Sequence, residues 1–280
     1  MPNENTIEPE APEDVRSAAE EKSTPSAHVV YEAIRQEGLY ELERKTSSLA
    51  WSGLAAGMSM GFSFLSQMLL RHHLPETEWQ PLVTKLGYAV GFLIVILGRQ
   101  QLFTENTLTV ILPLLLQKTG RVLRAVLRLW TVVLLANAVG ALIFALVLAK
   151  TAAVEPAMHG TLDKIANEAL SQPFGITMLR AIFAGWLIAL MVWLLPAAES
   201  ARIWVIVVIT YVIGIGHFPH IIAGSVEAFY LGIVGLRTWG QVLGGYAFPT
   251  LLGNMIGGLT LVAALAHAQI VGDKEKQRET

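Results

Sequence analysis

The sequence VIGIGHFPHIIAG, residues 212–224, lies inside a long apolar run near the end of the chain. This run is interrupted by Gly214, Gly216, Pro219 and two histidines, His217 and His220. A helix that crosses the hydrocarbon layer needs about 20 apolar residues. Because lipid offers no hydrogen-bonding partners, an irregular backbone at membrane depth must be buried in protein or line a cavity. The stretch therefore predicts a broken membrane helix that restarts with Pro219 at its first position and His220 in its first turn.

A second interruption occurs earlier, in GRQQLFTENTLT at residues 98–109. The side-chain oxygen of Thr104 or Asn106 is expected to cap a new half-helix. Glu105 would then lie in the first turn, where the helix dipole favours negative charge. The segment predicts a second break at membrane depth.

The composition excludes several classes of function. Of the 280 residues, 53% are hydrophobic and only 15% are charged, and the net charge is −2. Nucleic-acid binding is not expected, because neutralising phosphates requires a basic face. The chain has no cysteine, which removes disulfides and Cys-ligated metals. No cofactor is predicted.

The predicted fold class is an all-α membrane protein with six transmembrane helices per protomer. Its predicted domains are a disordered cytoplasmic tail (1–27), an amphipathic cytoplasmic helix (28–46), a six-helix channel domain (47–267) and a cytoplasmic C-terminal tail (268–280). The six spans are expected at residues 47–70, 86–116, 129–148, 174–197, 203–234 and 246–267.

Basic residues predict the orientation, because cytoplasmic loops are enriched in lysine and arginine. The strongest cluster is QKTGRVLRAVLRLW at 117–130, which places four cations in one short loop. An even number of spans then puts both termini in the cytoplasm. The membrane is expected to be the bacterial inner membrane.

The second and fifth spans are each the middle member of a group of three. Three helices place the second triplet upside down relative to the first, so matched breaks are what an inverted repeat would produce. For either break alone, a proline kink with a histidine bonded to a neighbouring carbonyl stays open. Two matched breaks favour a substrate pathway, because polar groups inside membranes generally mark one.

The two histidines are interpreted differently. His220 is the candidate for the pathway, whereas His217 is expected to be packed and hydrogen-bonded. No metal site is predicted, because no third ligand accompanies the pair.

Five charges and two amides also lie in or beside the spans. Asn137 and Asn254 recur in the last span of each triplet, each followed three residues later by glycine, and helix packing is the expected role. Charges within apolar segments usually pair, but the sequence does not assign partners to Arg99, Glu105, Arg180, Glu199 and Glu227.

The two breaks together resemble the formate/nitrite transporter family. The matching segments are LFTENTLT (102–109), FPHIIAG (218–224) and GNMIGG (253–258). The segment GLAAGMSMGFSFL (53–65) is similar to the less characterised YfdC-like inner-membrane branch. The resemblance covers residues 47–267.

The resemblance implies a pentamer of independent pores with an aquaporin-like inverted-repeat fold that passes small monovalent anions. It implies that His220 is the central histidine, that Thr104 is its hydrogen-bond partner, and that Leu102 and Phe103 belong to the loop at a hydrophobic constriction. Aligned by spacing only, the other narrowing side chains are Tyr88, Phe92 and Ile213.

Some positions depart from the family pattern and are candidate modifiers of selectivity. Gln101 replaces an acidic residue before the Leu-Phe-Thr core, and Pro219 stands where a glutamate is common. Gly224 replaces an expected asparagine, Glu105 adds an acid within the loop, and His217 adds a second histidine.

A weak acid that picks up a proton avoids most of the cost of moving a carboxylate into low dielectric. An imidazole has an unperturbed pKa of about 6.5, so His220 is expected to mediate this protonation. The alternatives are an aquaporin-like channel for water or neutral solutes, although neither break contains an Asn-Pro-Ala box, and a proton-coupled secondary transporter. An enzyme is not expected, because no H-E-x-x-H motif occurs and no serine is evidently placed to partner His220, although Ser225 lies about a turn away.

Overall fold

A computed structural model describes residues 25–268, which form helices and connecting turns with no β-strand among them. The all-helical prediction is confirmed for this part of the chain. The predicted tails lie almost entirely outside the described residues, at 1–24 and 269–280.

Twelve α-helices follow one another along the described chain. A 3₁₀ turn, Lys85–Tyr88, joins α3 to α4, and a π-helical segment, Gln241–Ala247, leads into α12. The helices are α1 Ala27–Glu43, α2 Thr46–His73, α3 Gln80–Thr84, α4 Ala89–Leu97, α5 Asn106–Thr109, α6 Ile111–Gln117, α7 Gly120–Lys150, α8 His159–Ala169, α9 Phe174–Leu194, α10 Arg202–Ile215, α11 Ile221–Ile233 and α12 Phe248–Ala268.

Both predicted interruptions are present. The second predicted span is divided into Gln80–Leu97 and Asn106–Gln117, and the fifth into α10 and α11. Among the described residues, four helical segments are long and apolar enough to cross a membrane: Thr46–His73, Gln80–Leu97, Gly120–Lys150 and Phe174–Ala197. The total of six spans stays a prediction.

The helix α8 lies between the third and fourth predicted spans, where no helix was predicted from the sequence. Its buried residues Leu162, Ile165 and Ala166 lie on one face, as the spacing of three and four residues requires. At 11 residues, α8 is too short and too polar to register as a span.

Glycines let two pairs of helices pack backbone to backbone. In the first triplet, a Cβ on Gly57 of α2 would collide with the carbonyl oxygen of Asn137 on α7. In the second, a Cβ on Gly185 of α9 would collide with the carbonyl oxygen of Asn254 on α12. Close approach through small residues is how membrane helices gain packing without a hydrophobic driving force. The packing predicted around the two asparagines is therefore confirmed.

The N-terminal helix α1 lies against the segment that follows the first break. Val30, Ile34 and Leu42 are buried, and their spacing gives the helix one apolar face. Gly38 brings α1 against the carbonyl oxygen of Thr109, where a Cβ would not fit. The cytoplasmic location of this helix stays a prediction.

Candidate substrate pathway

The first break is held in place by Asn137 of α7. Its Oδ1 accepts the backbone N–H of Phe103 at 3.0 Å. Its Nδ2 donates to the carbonyls of Gly53 at 2.7 Å and Gln101 at 2.9 Å. One fully buried amide therefore satisfies the backbone groups that the interruption of the helix leaves free.

The second break is held in the same way by Asn254 of α12. Its Oδ1 accepts the N–H of Ile221 at 2.8 Å, and its Nδ2 donates to Ala181 at 2.8 Å and to Pro219 at 2.9 Å. The sequence reasoning found both asparagines but missed this role. Their recurrence beside a glycine in matching spans was the signal.

Each half-helix before a break ends on a residue in the left-handed conformation. Arg99 has φ 48° and His217 has φ 49°. A left-handed residue after the C-cap, with a bond reaching five residues back, is the Schellman helix ending. The corresponding bonds are Gln100 N to Val95 O at 2.9 Å and Phe218 N to Ile213 O at 3.1 Å.

Thr104 and His220 meet between the two breaks. The Thr104 Oγ1 and the His220 Nε2 are 2.7 Å apart, and both residues are at most 1% exposed. Phe92 packs against His220 in a T-shaped arrangement, with the ring centroids 5.0 Å apart and the ring planes at 75°. Tyr88 follows at 5.3 Å from Phe92.

The start of α11 differs from the prediction. Pro219 was expected at the first helical position with His220 in the first turn, but the helix begins at Ile221 and His220 is its N-cap. The His220 Nδ1 accepts the N–H of Ala223 at 3.2 Å. An imidazole here replaces the hydroxyl or carboxylate oxygen that usually caps a helix, so the helix starts two residues later than expected.

The start of α5 also differs. The helix begins at Asn106 with Glu105 as N-cap, and no side chain caps it. The Thr104 hydroxyl is taken by His220, and the Asn106 amide donates to Gln101 Oε1 at 3.0 Å and to the Leu102 carbonyl at 3.2 Å. The expected capping by Thr104 or Asn106 was therefore wrong, because both side chains have closer partners.

One cavity of about 470 Å³, cavity one, reaches the central pair from one side. Tyr88, Ile213, His220 and Gly224 are among its lining residues. His217 also lines it and is exposed. His217 is thus placed in an opening, contrary to the expectation that it is packed and hydrogen-bonded, because its left-handed backbone turns it out of the helix.

A smaller cavity of about 120 Å³, cavity two, lies on the side of α1. Gln101 and Glu105 line it together with Glu37 and Glu41 of α1. Burial raises the pKa of the Glu41 carboxyl, although its ion pair with Arg44 at 2.9 Å acts in the opposite direction.

Four of the predicted pathway residues lie in the wall of neither cavity. Leu102, Thr104 and Phe92 are at most 1% exposed and line neither one. Phe103 is equally buried but packs against Trp130 of α7, with centroids 6.0 Å apart. One region therefore contains six of the predicted residues: Tyr88, Phe92, Leu102, Thr104, Ile213 and His220. Phe103, in contrast, packs against α7.

The structure explains why position 224 is a glycine. A Cβ at this position would collide with the Tyr246 hydroxyl, and both residues line cavity one. Tyr246 occupies space that an asparagine at position 224 would need. The role of Tyr246 could not be predicted from the sequence, because its place follows from the packing of the π-helical segment Gln241–Ala247 against α11.

Four of the five charges that the sequence left unassigned are now placed. Arg99 pairs with Glu37 at 2.8 Å, and Glu105 lines cavity two. Arg180 and Glu227 line cavity one. Lys85, which the sequence reasoning counted only as a flanking residue, lines the same cavity.

Comparison with known proteins agrees with this architecture. The family model described as formate/nitrite transporter matches residues 28–268. The chain belongs to the formate/nitrite transporter family. It is 40% identical over 260 residues to the inner membrane protein YfdC of Escherichia coli, covering 93% of this chain and 84% of that protein, in agreement with the predicted branch. The family is one of transporters, so the enzyme alternative is set aside.

More distant members extend the comparison. The formate channel BtFdhC of Bacillus thuringiensis is 26% identical over 244 residues, covering 83% of this chain and 91% of that protein. Among solved structures, a pentameric formate channel with formate bound matches with a TM-score of 0.70 at 18% identity, covering 81% of this chain and 98% of that one. An ion channel of the same family also has a TM-score of 0.70, at 16% identity, covering 86% and 98%. These two likenesses establish the fold.

Proposed function

We propose that the chain is a channel for small monovalent anions of the formate or nitrite type, which cross its constriction as conjugate weak acids. The observation that carries the proposal is the 2.7 Å contact between Thr104 and His220, buried between two cavities. Membership of the family and the formate channel among its relatives support the substrate class.

The hydrogen bonds of His220 assign its tautomer. Nδ1 accepts the Ala223 N–H, so the proton of the neutral ring is on Nε2, which donates to Thr104 Oγ1. The Thr104 hydroxyl keeps its own proton for another acceptor. His220 and Thr104 therefore form a directed pair that offers one O–H to an anion in the constriction.

The apolar walls require that the permeant species be neutral. Leu102 and Phe92 are fully buried, and the effective penalty for placing an ion in such surroundings is several kcal/mol. Taking up one proton removes most of that penalty. That proton comes from the aqueous solution, and the Thr104–His220 pair orients it where the barrier is highest.

The decisive experiment is stopped-flow flux into proteoliposomes across a pH series, with formate, nitrite, acetate, lactate, chloride and hydrosulfide. We expect formate and nitrite to pass, with faster flux at acidic pH, and His220→Asn to lose that pH dependence. Thr104→Ser keeps the hydroxyl and serves as control for Thr104→Val, which is expected to behave like His220→Asn.

Other outcomes would identify another function. Unchanged pH-dependent flux in His220→Asn would contradict the mechanism. Swelling in water or glycerol without ion specificity would indicate an aquaporin-like channel. Uptake that stops without a proton gradient would indicate a coupled transporter.

We also propose that the protein is a homopentamer in the inner membrane with both termini cytoplasmic. The pentameric formate channel of the same fold and the inner-membrane relative support this arrangement, as do the four cations at 117–130, which lie just before α7 and in its first turns rather than in the loop expected from the sequence. Native mass spectrometry in detergent tests the pentamer. Labelling of cysteines introduced into the two tails of this cysteine-free chain tests the orientation.

A further inference from the structure

Cavity one is lined by several charged residues that have no part in the Thr104–His220 contact. Besides His220, its wall carries three basic side chains, two carboxylates and a second histidine. Only some of these neutralise one another, because Arg71 pairs with Glu168 at 2.8 Å. The members of this charged wall are Arg71, Lys85, Arg180, Glu168, Glu227 and His217.

Lys85 is the cation that the fold positions most firmly. Its Nζ donates to Oε1 of Gln67 at 2.9 Å. Gln67 is fully buried and is fixed by its own bond to the Ser63 carbonyl at 3.2 Å. Gly214 of α10 lies beside the stem of Lys85, since a Cβ there would be in van der Waals contact, 3.5 Å from the Lys85 Cβ.

The ammonium of Lys85 is therefore only partly used. A lysine has three N–H donors, and the bond to Gln67 takes one. The partner is a neutral amide, which leaves the positive charge uncompensated at this contact. Among the described residues, no carboxylate lies within ion-pair distance of Lys85.

Glu227 faces the same space from α11. It is seven residues after His220 and three after Gly224, and all three line cavity one. Spacings of three, four and seven residues place them on one face of the helix. Glu227 is 7% exposed and, within residues 25–268, forms no ion pair.

We propose that Lys85 is an anion-binding site ahead of the constriction, and that Glu227 is the internal carboxylate that competes with the anion for it. This inference rests on the proposed function and gives the channel a second, separate recognition site. The ligand class is a small monovalent oxyanion such as formate or nitrite. Its oxygens accept the two N–H donors of Lys85 that Gln67 leaves available.

Competition between two negative charges for one ammonium makes occupancy depend on pH. Two carboxylates sharing a site disfavour each other's ionised form. When Glu227 is ionised, it repels the incoming anion and attracts the ammonium, so binding weakens as pH rises. When Glu227 is protonated, Lys85 is available and binding strengthens. Arg180 stays charged throughout, and His217 is a further titratable side chain in this wall.

The test measures the half-saturating formate concentration in proteoliposomes between about pH 5 and 8, separately from the maximal rate. For the unmodified protein we expect this concentration to rise about tenfold over the range, the change that one pKa unit of coupling produces. In Glu227→Gln, the half-saturating concentration is expected to stay at its low, acidic-pH value at every pH. Glu168→Gln, which alters a paired carboxylate on the same wall, is the matched control and should keep the rise.

Three further variants separate the roles of Lys85 and His217 from general effects. Lys85→Met should raise the half-saturating concentration about tenfold at acidic pH, while Lys85→Arg keeps the charge and should restore binding. His217→Asn should leave the dependence on Glu227 in place. An unaltered pH slope in Glu227→Gln, or unaltered saturation in Lys85→Met, would overturn the proposal.

Binding in detergent distinguishes this inference from the proposed function. Line broadening of the ¹³C-formate NMR signal by the purified protein reports binding without transport, and Lys85→Met should abolish it while Lys85→Arg keeps it. Broadening that survives Lys85→Met contradicts the site. Broadening that depends on Lys85, in a protein that transports no formate, would retain the site and reject the channel.

Discussion

The break before α5 and the break before α11 share their backbone hydrogen bonds. Each begins with a glycine and a left-handed residue, Arg99 or His217, and each is fixed by an asparagine. In this correspondence Leu102 takes the place of His220. Asn137 accepts the N–H of Phe103 as Asn254 accepts that of Ile221. Asn137 donates to the carbonyl of Gln101 as Asn254 donates to that of Pro219.

The side chains on this shared framework are different. At the first break the equivalent residue is a leucine, α5 has four residues and no side chain caps it. At the second break a histidine caps α11, a helix of 13 residues. The cavity near the first break is lined by three glutamates and two arginines, and that near the second by three basic residues and two glutamates. The backbone frame is thus separable from the chemistry it presents.

The largest effect is expected from removing the asparagines. Asn137→Ala and Asn254→Ala each leave one N–H and one carbonyl at a break without this partner, at about 1–3 kcal/mol for each unsatisfied group, and also remove the bond to a carbonyl of a neighbouring helix. Both variants should lose about 3 kcal/mol or more and by similar amounts. Thermal unfolding in detergent measures this, with Asn167→Ala, which loses a single bond to Asp163, as control. Markedly unequal losses would break the comparison between the two breaks.

Leu102→Ala is expected to have the next largest effect. Removing a fully buried leucine side chain costs about 2–5 kcal/mol, and here it should also widen the proposed constriction. Flux of acetate and lactate should rise relative to formate in the proteoliposome panel. Leu115→Ala, at an exposed site on α6, should change neither selectivity nor stability. Unchanged selectivity in Leu102→Ala would show that the leucine does not set the constriction.

Gly224→Ala sharpens the contrast on the side of α11. The new Cβ collides with the Tyr246 hydroxyl, and overpacking of this kind costs about 1–3 kcal/mol. Formate flux should fall as Tyr246 is pushed into cavity one. Gly175→Ala, where a Cβ meets open space, is the matched control, and equal behaviour of the two alanine variants would contradict this account.

The smallest effect is expected at the left-handed residues. Glycine at position 217 should stabilise the protein by up to about 1 kcal/mol, because the left-handed region costs L-residues about 1–2 kcal/mol. Arg99→Gly relieves the same strain but loses an exposed ion pair with Glu37, worth about 0–1 kcal/mol. Unfolding midpoints should therefore rise for His217→Gly more than for Arg99→Gly. The reverse order would show that the two helix endings are not equivalent.

Both breaks could be predicted from the sequence, because glycine, proline and polar residues stand out within apolar runs. The meeting of Thr104 with His220 came from the family resemblance and has no signal in spacing alone, since 116 residues separate them. The helix starts were predicted less well. Thr104, Asn106 and His220 each had a local capping role available, and tertiary partners decided which side chain took it.

The sequence by itself determined an all-helical chain with two interrupted apolar segments, because hydropathy and the residues that break helices are local properties. Tertiary structure alone decided that Asn137 and Asn254 hold the breaks, that Gly224 makes room for Tyr246, and that Lys85 and Glu227 face one cavity. Each of these depends on the distance between segments far apart in the chain. Only the packing of the helices fixes those distances.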